Sequence, residues 1–288
     1  MPELELDHWL RGHRDADPGA AVGLAKRSFW PTFFARLAGR LQWDANAIDL
    51  KPDAAAWFEL PDERRARLTA LLTGFCVAEE AVSVELDPFA SAARETPMTS
   101  HQSLVAWCFF LQRKDEVRHA RLFDRIADEV LHLPGDTPEE RRAAAREHAP
   151  PAILELFEER LPAMTAELAD GRTGLGEGVA LYHMLLEGVV FDAGQHALLD
   201  DLDDGVMPGV RFGIDRVERD ERWHVGFGLR CLVEAQPSAN VLADLLQRAE
   251  EAAATWGDAV TAATREEAPH KVAHRLHVAG LIETPAVA

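Results

Sequence analysis

Cysteine and positive charge are both scarce in this sequence, and each scarcity removes a class of protein. Cys76, Cys108 and Cys231 are far apart, sit in apolar surroundings such as GFCVA and AWCFF, and include no Cys-x-x-Cys pair. A disulfide framework and a cysteine-built zinc site both need paired or closely spaced ligands, so the three read as buried thiols. Lys and Arg number 30 against 49 Asp and Glu, a formal net charge of −19. That balance repels phosphate backbones and anionic lipid, and no nucleic-acid partner is expected. Long apolar runs are missing too: the longest lies near Leu104 to Leu111, short of the roughly 20 residues a membrane span needs. No transmembrane segment is expected. The opening MPELELDHWL is acidic and lacks the basic stretch and apolar run of a secretory signal, so the protein is read as cytoplasmic.

Strand-like alternation is also absent, while Ala, Leu, Glu and Arg recur with helical period. The fold class is therefore all-α, and 47% hydrophobic residues over 288 positions supply an ample core. Breakers predict a first long helix from Asp62 to about Arg94, and a second from about Ser100 to Leu133, stopped by Pro134-Gly135. Thr137-Pro138-Glu139-Glu140 has the order of a capped helix start, and Pro150-Pro151 splits the connector that follows. A third long helix is expected from Leu175 to Leu202, a fourth from Val210 to Ala235, and a further one from Ala239 to Ala263. Helices of this length suit a large bundle. The chain reads as one domain, 1–288, with the bundle over about 62–235 and a loosely packed tail over 264–288.

The chemistry lies in buried acids. Glu116-Val-Arg-His119 and Glu221-Arg-Trp-His224 repeat the spacing Glu-x-x-His, which puts both side chains on one helix face. Glu79 and Glu80 stand in FCVAEEAV, and Glu187 in LYHMLLEGVVF. A carboxylate buried in such surroundings needs a partner or must stay protonated, and metal ions supply the partner. Glu79 to Glu116 is 37 residues and Glu187 to Glu221 is 34, so two similar hairpins face each other. Two lone Glu and two Glu-x-x-His are the ligand set of carboxylate-bridged dimetal bundles. Glu79, Glu116, His119, Glu187, Glu221 and His224 are the expected ligands, with Glu80 an alternative to Glu79. His183 and His196 flank Glu187 and are read as non-ligands. Carboxylate and imidazole suit manganese and iron alike, so the ligands do not choose the metal.

AEEAV at 78–82, DEVRH at 115–119, YHMLLEG at 182–188 and RDERWHVGFG at 219–228 resemble the ferritin-like superfamily. Within it, the chain is similar to the ligand-binding oxidases that look like ribonucleotide reductase small subunits. The resemblance spans about 25–235. It implies a ferritin-like four-helix bundle with additional helices, a Mn/Fe pair (two irons being the alternative), and an oxidase that uses O₂ and abstracts hydrogen from a strong C–H bond. It also implies a long-chain fatty acid or similar apolar ligand, a homodimer, and an ether cross-link between Tyr182, five residues before Glu187, and Val82, three after Glu79. That last match favours Glu79 over Glu80. A five-residue step turns side chains about 140° apart on an α-helix, so a π-type turn is predicted near Tyr182 to Glu187. By the same resemblance Asp220 would bond His119, with Trp43 behind it; a packed core indole and an ordinary core tyrosine are the plain alternatives for Trp43 and Tyr182. Apolar residues near Cys76, Phe109, Phe191 and Phe227 would seal such a site from water.

Three rival readings follow. A reductase small subunit usually carries its radical Tyr four residues after the first ligand His, where this chain has Phe123, and the terminal LIETPAVA offers no aromatic relay. A non-enzymatic iron-storage bundle would be shorter. A metal-free structural bundle leaves the buried acids unexplained.

Overall fold

The computed structural model describes residues 30–98 and 101–283, so MPELELDHWL, Ser100 and the last five residues of LIETPAVA lie outside it. No strand occurs among the described residues, and no helix there is long and apolar enough to cross a membrane. Helix α1 is Trp30–Arg40 and α2 is Lys51–Trp57. Then come α3 (Asp62–Val84), α4 (Asp87–Glu95), α5 (Gln102–Glu129) and α6 (Pro138–Arg146). Helix α7 runs through Pro151–Leu154, a π-helical stretch Glu155–Arg160, and Leu161–Ala169. Helix α8 is Leu175–Val179, a π-helical stretch Ala180–Phe191, and Asp192–Asp201. The chain continues with α9 (Pro208–Ala235), α10 (Ala239–Ala253) and α11 (Ala262–Val278).

Helices α3, α5, α9 and α8 close a ring in which each packs on the next, α3 on α5, α5 on α9, α9 on α8 and α8 on α3. This is the four-helix bundle expected from the lengths, built from the hairpins α3/α5 and α8/α9. Its interior is one continuous cluster of buried apolar residues running from Trp30 to Leu276. Asp53 of α2 fixes where α9 begins: its carboxylate accepts from Gly209 N at 3.1 Å and Val210 N at 2.7 Å, two of the N–H groups a helix start leaves unpaired. Gly209 is required there, because a Cβ would meet Asp49 O at 2.3 Å.

Two expectations need correction. The first long helix does not reach Arg94; it ends at Val84 and restarts at Asp87. Pro88 has no N–H to offer and its ring would strike the carbonyl four residues earlier, so the axis must break. Nor is the segment after residue 264 a loose tail. Helix α10 stops at Ala253, and α11 buries Ala268, Val272, Arg275 and Leu276, an i, i+4, i+7, i+8 stripe. Small Ala, interior Pro269 and a buried Arg dilute that stripe below easy notice in the sequence. The capping box at Thr137 and Glu140 forms as its residues predict.

Candidate dimetal site

The π-helical stretch Ala180–Phe191 lies where the five-residue step from Tyr182 to Glu187 predicts a π-type turn. Widening the helix there puts both side chains into the bundle: Tyr182 is fully buried and Glu187 is 1% exposed. Two carbonyls of this stretch are met by donors from outside the bundle. Trp256 Nε1 donates to Val190 O at 2.7 Å, and Arg275 Nη1 of α11 donates to Gly188 O at 3.0 Å. Gly194 and Gly74 make room for the Trp256 ring, since a Cβ on them would approach it to 2.7 and 2.5 Å.

The six expected ligands converge at the middle of the bundle. Atoms of Glu79, Glu116, His119 and Glu221 gather within 4.8 Å of one another, as do atoms of Glu116, Glu187 and His224. The arrangement is paired. His119 Nδ1 stands 3.4 Å from Glu79, 3.3 Å from Glu116 Oε2 and 3.3 Å from Glu221 Oε1. His224 Nδ1 stands 3.2 Å from Glu116 Oε1, 3.5 Å from Glu187 Oε1 and 3.4 Å from Glu221 Oε2. Glu116 and Glu221 thus turn one oxygen to each half, while Glu79 and Glu187 each serve one.

These residues fit a pair of metal ions. Both oxygens of Glu79 and of Glu221, Glu116 Oε2, Glu187 Oε2 and the Nδ1 atoms of both histidines are buried without a hydrogen-bond partner. Orphaned polar atoms of this kind are costly and rare in folded proteins, and here they all belong to good ligands pointing at two common centres. Without cations the acids repel. Burial pushes the Glu79 carboxyl up to about 8 against the pull of His119, with Glu221 and Glu116 adding repulsion. Burial and Glu221 hold Glu187 well above the usual carboxylate range. Burial opposes charge on His119, yet Glu79 and Asp220 raise it well above an ordinary histidine. Two cations would relieve all of these at once.

Behind the ligands, Asp220 Oδ2 lies 3.1 Å from His119 Nε2 and accepts from Trp43 Nε1 at 2.8 Å, the arrangement expected from the resemblance. Arg118 donates to the same oxygen at 2.8 Å. Of the alternatives, Glu80 is half-exposed and paired with Arg142, so Glu79 alone enters the cluster. His196 turns outward to Asp192 O at 2.7 Å, and His183 Nε2 meets Gln112 at 3.0 Å; neither reaches the cluster. Val82 is buried one turn after Glu79, and Cys76, Phe109, Phe191 and Phe227 are buried too. Phe123 stacks on Phe75 at 5.2 Å.

No protein-family model matches the chain. Among solved structures it is similar to an R2-like ligand-binding oxidase with aerobically reconstituted Mn/Fe cofactor: TM-score 0.70, 19% identity, 88% of this chain and 93% of that one. A glycine-to-phenylalanine mutant of an R2-like ligand-binding oxidase, with anaerobically reconstituted Mn/Fe cofactor, gives 0.71 and 21% over 88% and 94%. The fold is that of the R2-like ligand-binding oxidases. An alanine-to-phenylalanine mutant with the same kind of cofactor gives 0.70 and 20% over 89% and 94%. Such coverage puts most of the chain within the R2-like oxidase fold.

Sequence reasoning missed two residues within this R2-like fold. Asp115 lies 3.5 Å from His224 Nε2 and accepts from Trp223 Nε1 at 3.1 Å, repeating for the second histidine what Asp220 does for the first. The signal was in the sequence: DEVRH and DERWH both read Asp-Glu-x-x-His, each Asp serving the other helix's histidine. Gln112 is the other; its Nε2 donates to Glu187 Oε1 at 2.6 Å. Nothing in the sequence marks it beyond a polar residue on an apolar face.

Proposed function

We propose that the protein is an oxygen-dependent dimetal-carboxylate oxidase, a single domain that holds one manganese and one iron ion between α3, α5, α8 and α9. The convergence of orphaned carboxylate and imidazole atoms at two centres carries this reading. Glu79, Glu116, His119 and Glu221 would hold one ion, and Glu116, Glu187, His224 and Glu221 the other. Four carboxylates balance two divalent charges. When bound, the ions supply the redox capacity for reducing O₂; the Mn/Fe choice rests on the resemblance and on the cofactors of the similar solved structures.

The chain's own residues do the rest. Asp220 lies within hydrogen-bond reach of His119 Nε2 and Asp115 faces His224 Nε2 at 3.5 Å, which leaves each Nδ1 as the ligand atom. Buried aromatics around Phe109, Phe227 and Phe191 keep water out, which protects reactive oxygen species from side reactions. Burial, with Glu116 and Glu187 nearby, raises Tyr182 well above an ordinary phenol, so it stays protonated and donates to Glu116 Oε1 at 3.2 Å. From there Tyr182 would form an ether bond to Val82: the phenolic O–H and one Val82 C–H break, a C–O bond forms, and two electrons and two protons pass to O₂. An apolar, fatty-acid-like ligand has a candidate seat in a cavity of about 510 Å³ between α7, α8 and α10, where Met164, Leu181, Leu185, Val241 and Leu245 offer apolar surface and Arg160, Glu167, Glu177, Asp244 and Arg248 add charge. Its floor is the outer side of the π-helical stretch that carries Tyr182. A homodimer is proposed on the resemblance.

The test is elemental analysis and peptide mass spectrometry of aerobically purified protein. Expected are two ions per chain, manganese and iron, and a two-hydrogen mass loss joining the Val82 and Tyr182 peptides. Two ions without the link would point to a reductase-type or storage bundle, and no uptake after reconstitution would overturn the site.

A further inference from the structure

The two halves of the site are nearly equivalent. Each has a lone Glu, a Glu-x-x-His, and an Asp behind the histidine from the opposite helix, and Glu116 and Glu221 divide their oxygens between the halves. The lone acids break the likeness. Both oxygens of Glu79 are free of hydrogen bonds, whereas Glu187 Oε1 accepts from Gln112 Nε2 at 2.6 Å. Gln112 stands four residues before Glu116; the position four before Glu221 is Val217, buried and without a donor. The same amide reaches Glu116 Oε1 at 3.4 Å, the oxygen that faces His224.

An amide can be turned either way, and only one orientation presents N–H to the acids. The acids settle it: carboxylates that hold cations only accept, so the Gln112 nitrogen faces Glu187 and its oxygen faces the wholly buried ring of His183, whose Nε2 lies 3.0 Å away. His183 then carries its proton on Nε2, donates to the Gln112 oxygen and holds the amide in this orientation. Space for this ring is reserved by Gly228, where a Cβ would meet His183 Cβ and Cγ at 2.2 Å.

We propose that Gln112, oriented by His183, is a positioning residue that makes the two metal positions unequal by tying one oxygen of Glu187 and presenting the other. The position served by Glu79 has no such tie. This rests on the dimetal reading above and adds a device for distinguishing the ions, since partners that orient a ligand change metal affinity by roughly 10–100-fold.

The experiment is a calorimetric titration of chelator-stripped protein with Mn(II) under argon, followed by elemental analysis after loading from an equimolar Mn(II) and Fe(II) mixture. Wild type is compared with Gln112→Leu and with His183→Phe, which keeps Gln112 but removes what orients it; circular dichroism and Tm establish that each folds. Expected is one step left unchanged, the other weakened about 10–100-fold in Gln112→Leu and less in His183→Phe, and a shifted Mn:Fe ratio in both. If both steps weaken equally, or neither step nor ratio changes in a folded variant, the inference is overturned while the dimetal reading stands. Wild-type protein that takes up no metal overturns both. Should Gln112→Leu fail to fold, His183→Phe alone decides on the same readouts.

Discussion

Glu116 contributes one oxygen to each half of the cluster, so no other single carboxylate except Glu221 is shared so fully. Replacing it with Ala is expected to abolish loading of both ions, read by elemental analysis, with the helical content kept. Glu79 gives the sign of the pH dependence. Its carboxyl moves from an ordinary 4.5 to about 8 in the metal-free fold. Below the lower value it is protonated folded or unfolded; between the two the unfolded chain has released a proton that the fold retains. The metal-free protein should therefore lose stability as pH rises through that window, and Glu79→Leu should flatten the slope in urea melts at about pH 5 and about pH 8. A steeper loss in the variant would contradict the assignment. These residues were legible because acids in apolar helices are anomalous. Gln112 and His183 were not, because an amide and an imidazole on an apolar face are ordinary until their distances are known.

At the scale of elements, the boundaries of α8 and α9 were readable from Gly, Pro and Asp punctuation, and the π-helical stretch from a single spacing, Tyr182 to Glu187. What the sequence hid is how that stretch is held. Two of its carbonyls accept from Trp256 and Arg275, which lie 66 and 87 residues further along, and no local pattern encodes so distant a match. Trp256→Phe keeps most of the packing on Phe75 but removes the N–H that donates to Val190 O, at a cost of about 0.5–1.5 kcal/mol. A lower Tm is expected, and so is weaker metal retention against a chelator; a variant with unchanged retention would detach the loop from the site. Gly228→Ala should be worse, since the neighbour it strikes is the root of the His183 side chain rather than a flexible tip. Strong destabilisation, or insoluble protein, is the expected result.

For the molecule as a whole, the sparse cysteines become informative. All three are buried, and burial pushes the Cys76 thiol up to about 12 and the other two higher than an ordinary thiol. Thiolate is the reactive form, so the native protein should leave a colorimetric disulfide reagent unreacted at about pH 8, and the denatured chain should release three equivalents. Fast reaction of any one of them in the native state would mean the core opens readily. The proposed dimetal site would thus share its fold with thiols held in their inert form. The bundle architecture and all-helical class followed from helix lengths and the absence of alternation; the integration of α11 did not, because its stripe is short and mixed with His and Arg.

Arg275 reaches back to Gly188 from the last helix of the described chain. A ribosome releases α3, α5, α8 and α9 before it makes α11. A nascent chain carrying all six ligands would still lack the donor that steadies the backbone beside Glu187. Order of synthesis thereby matters: a prematurely terminated chain would carry the six candidate ligands without the Arg275 donor to Gly188 O.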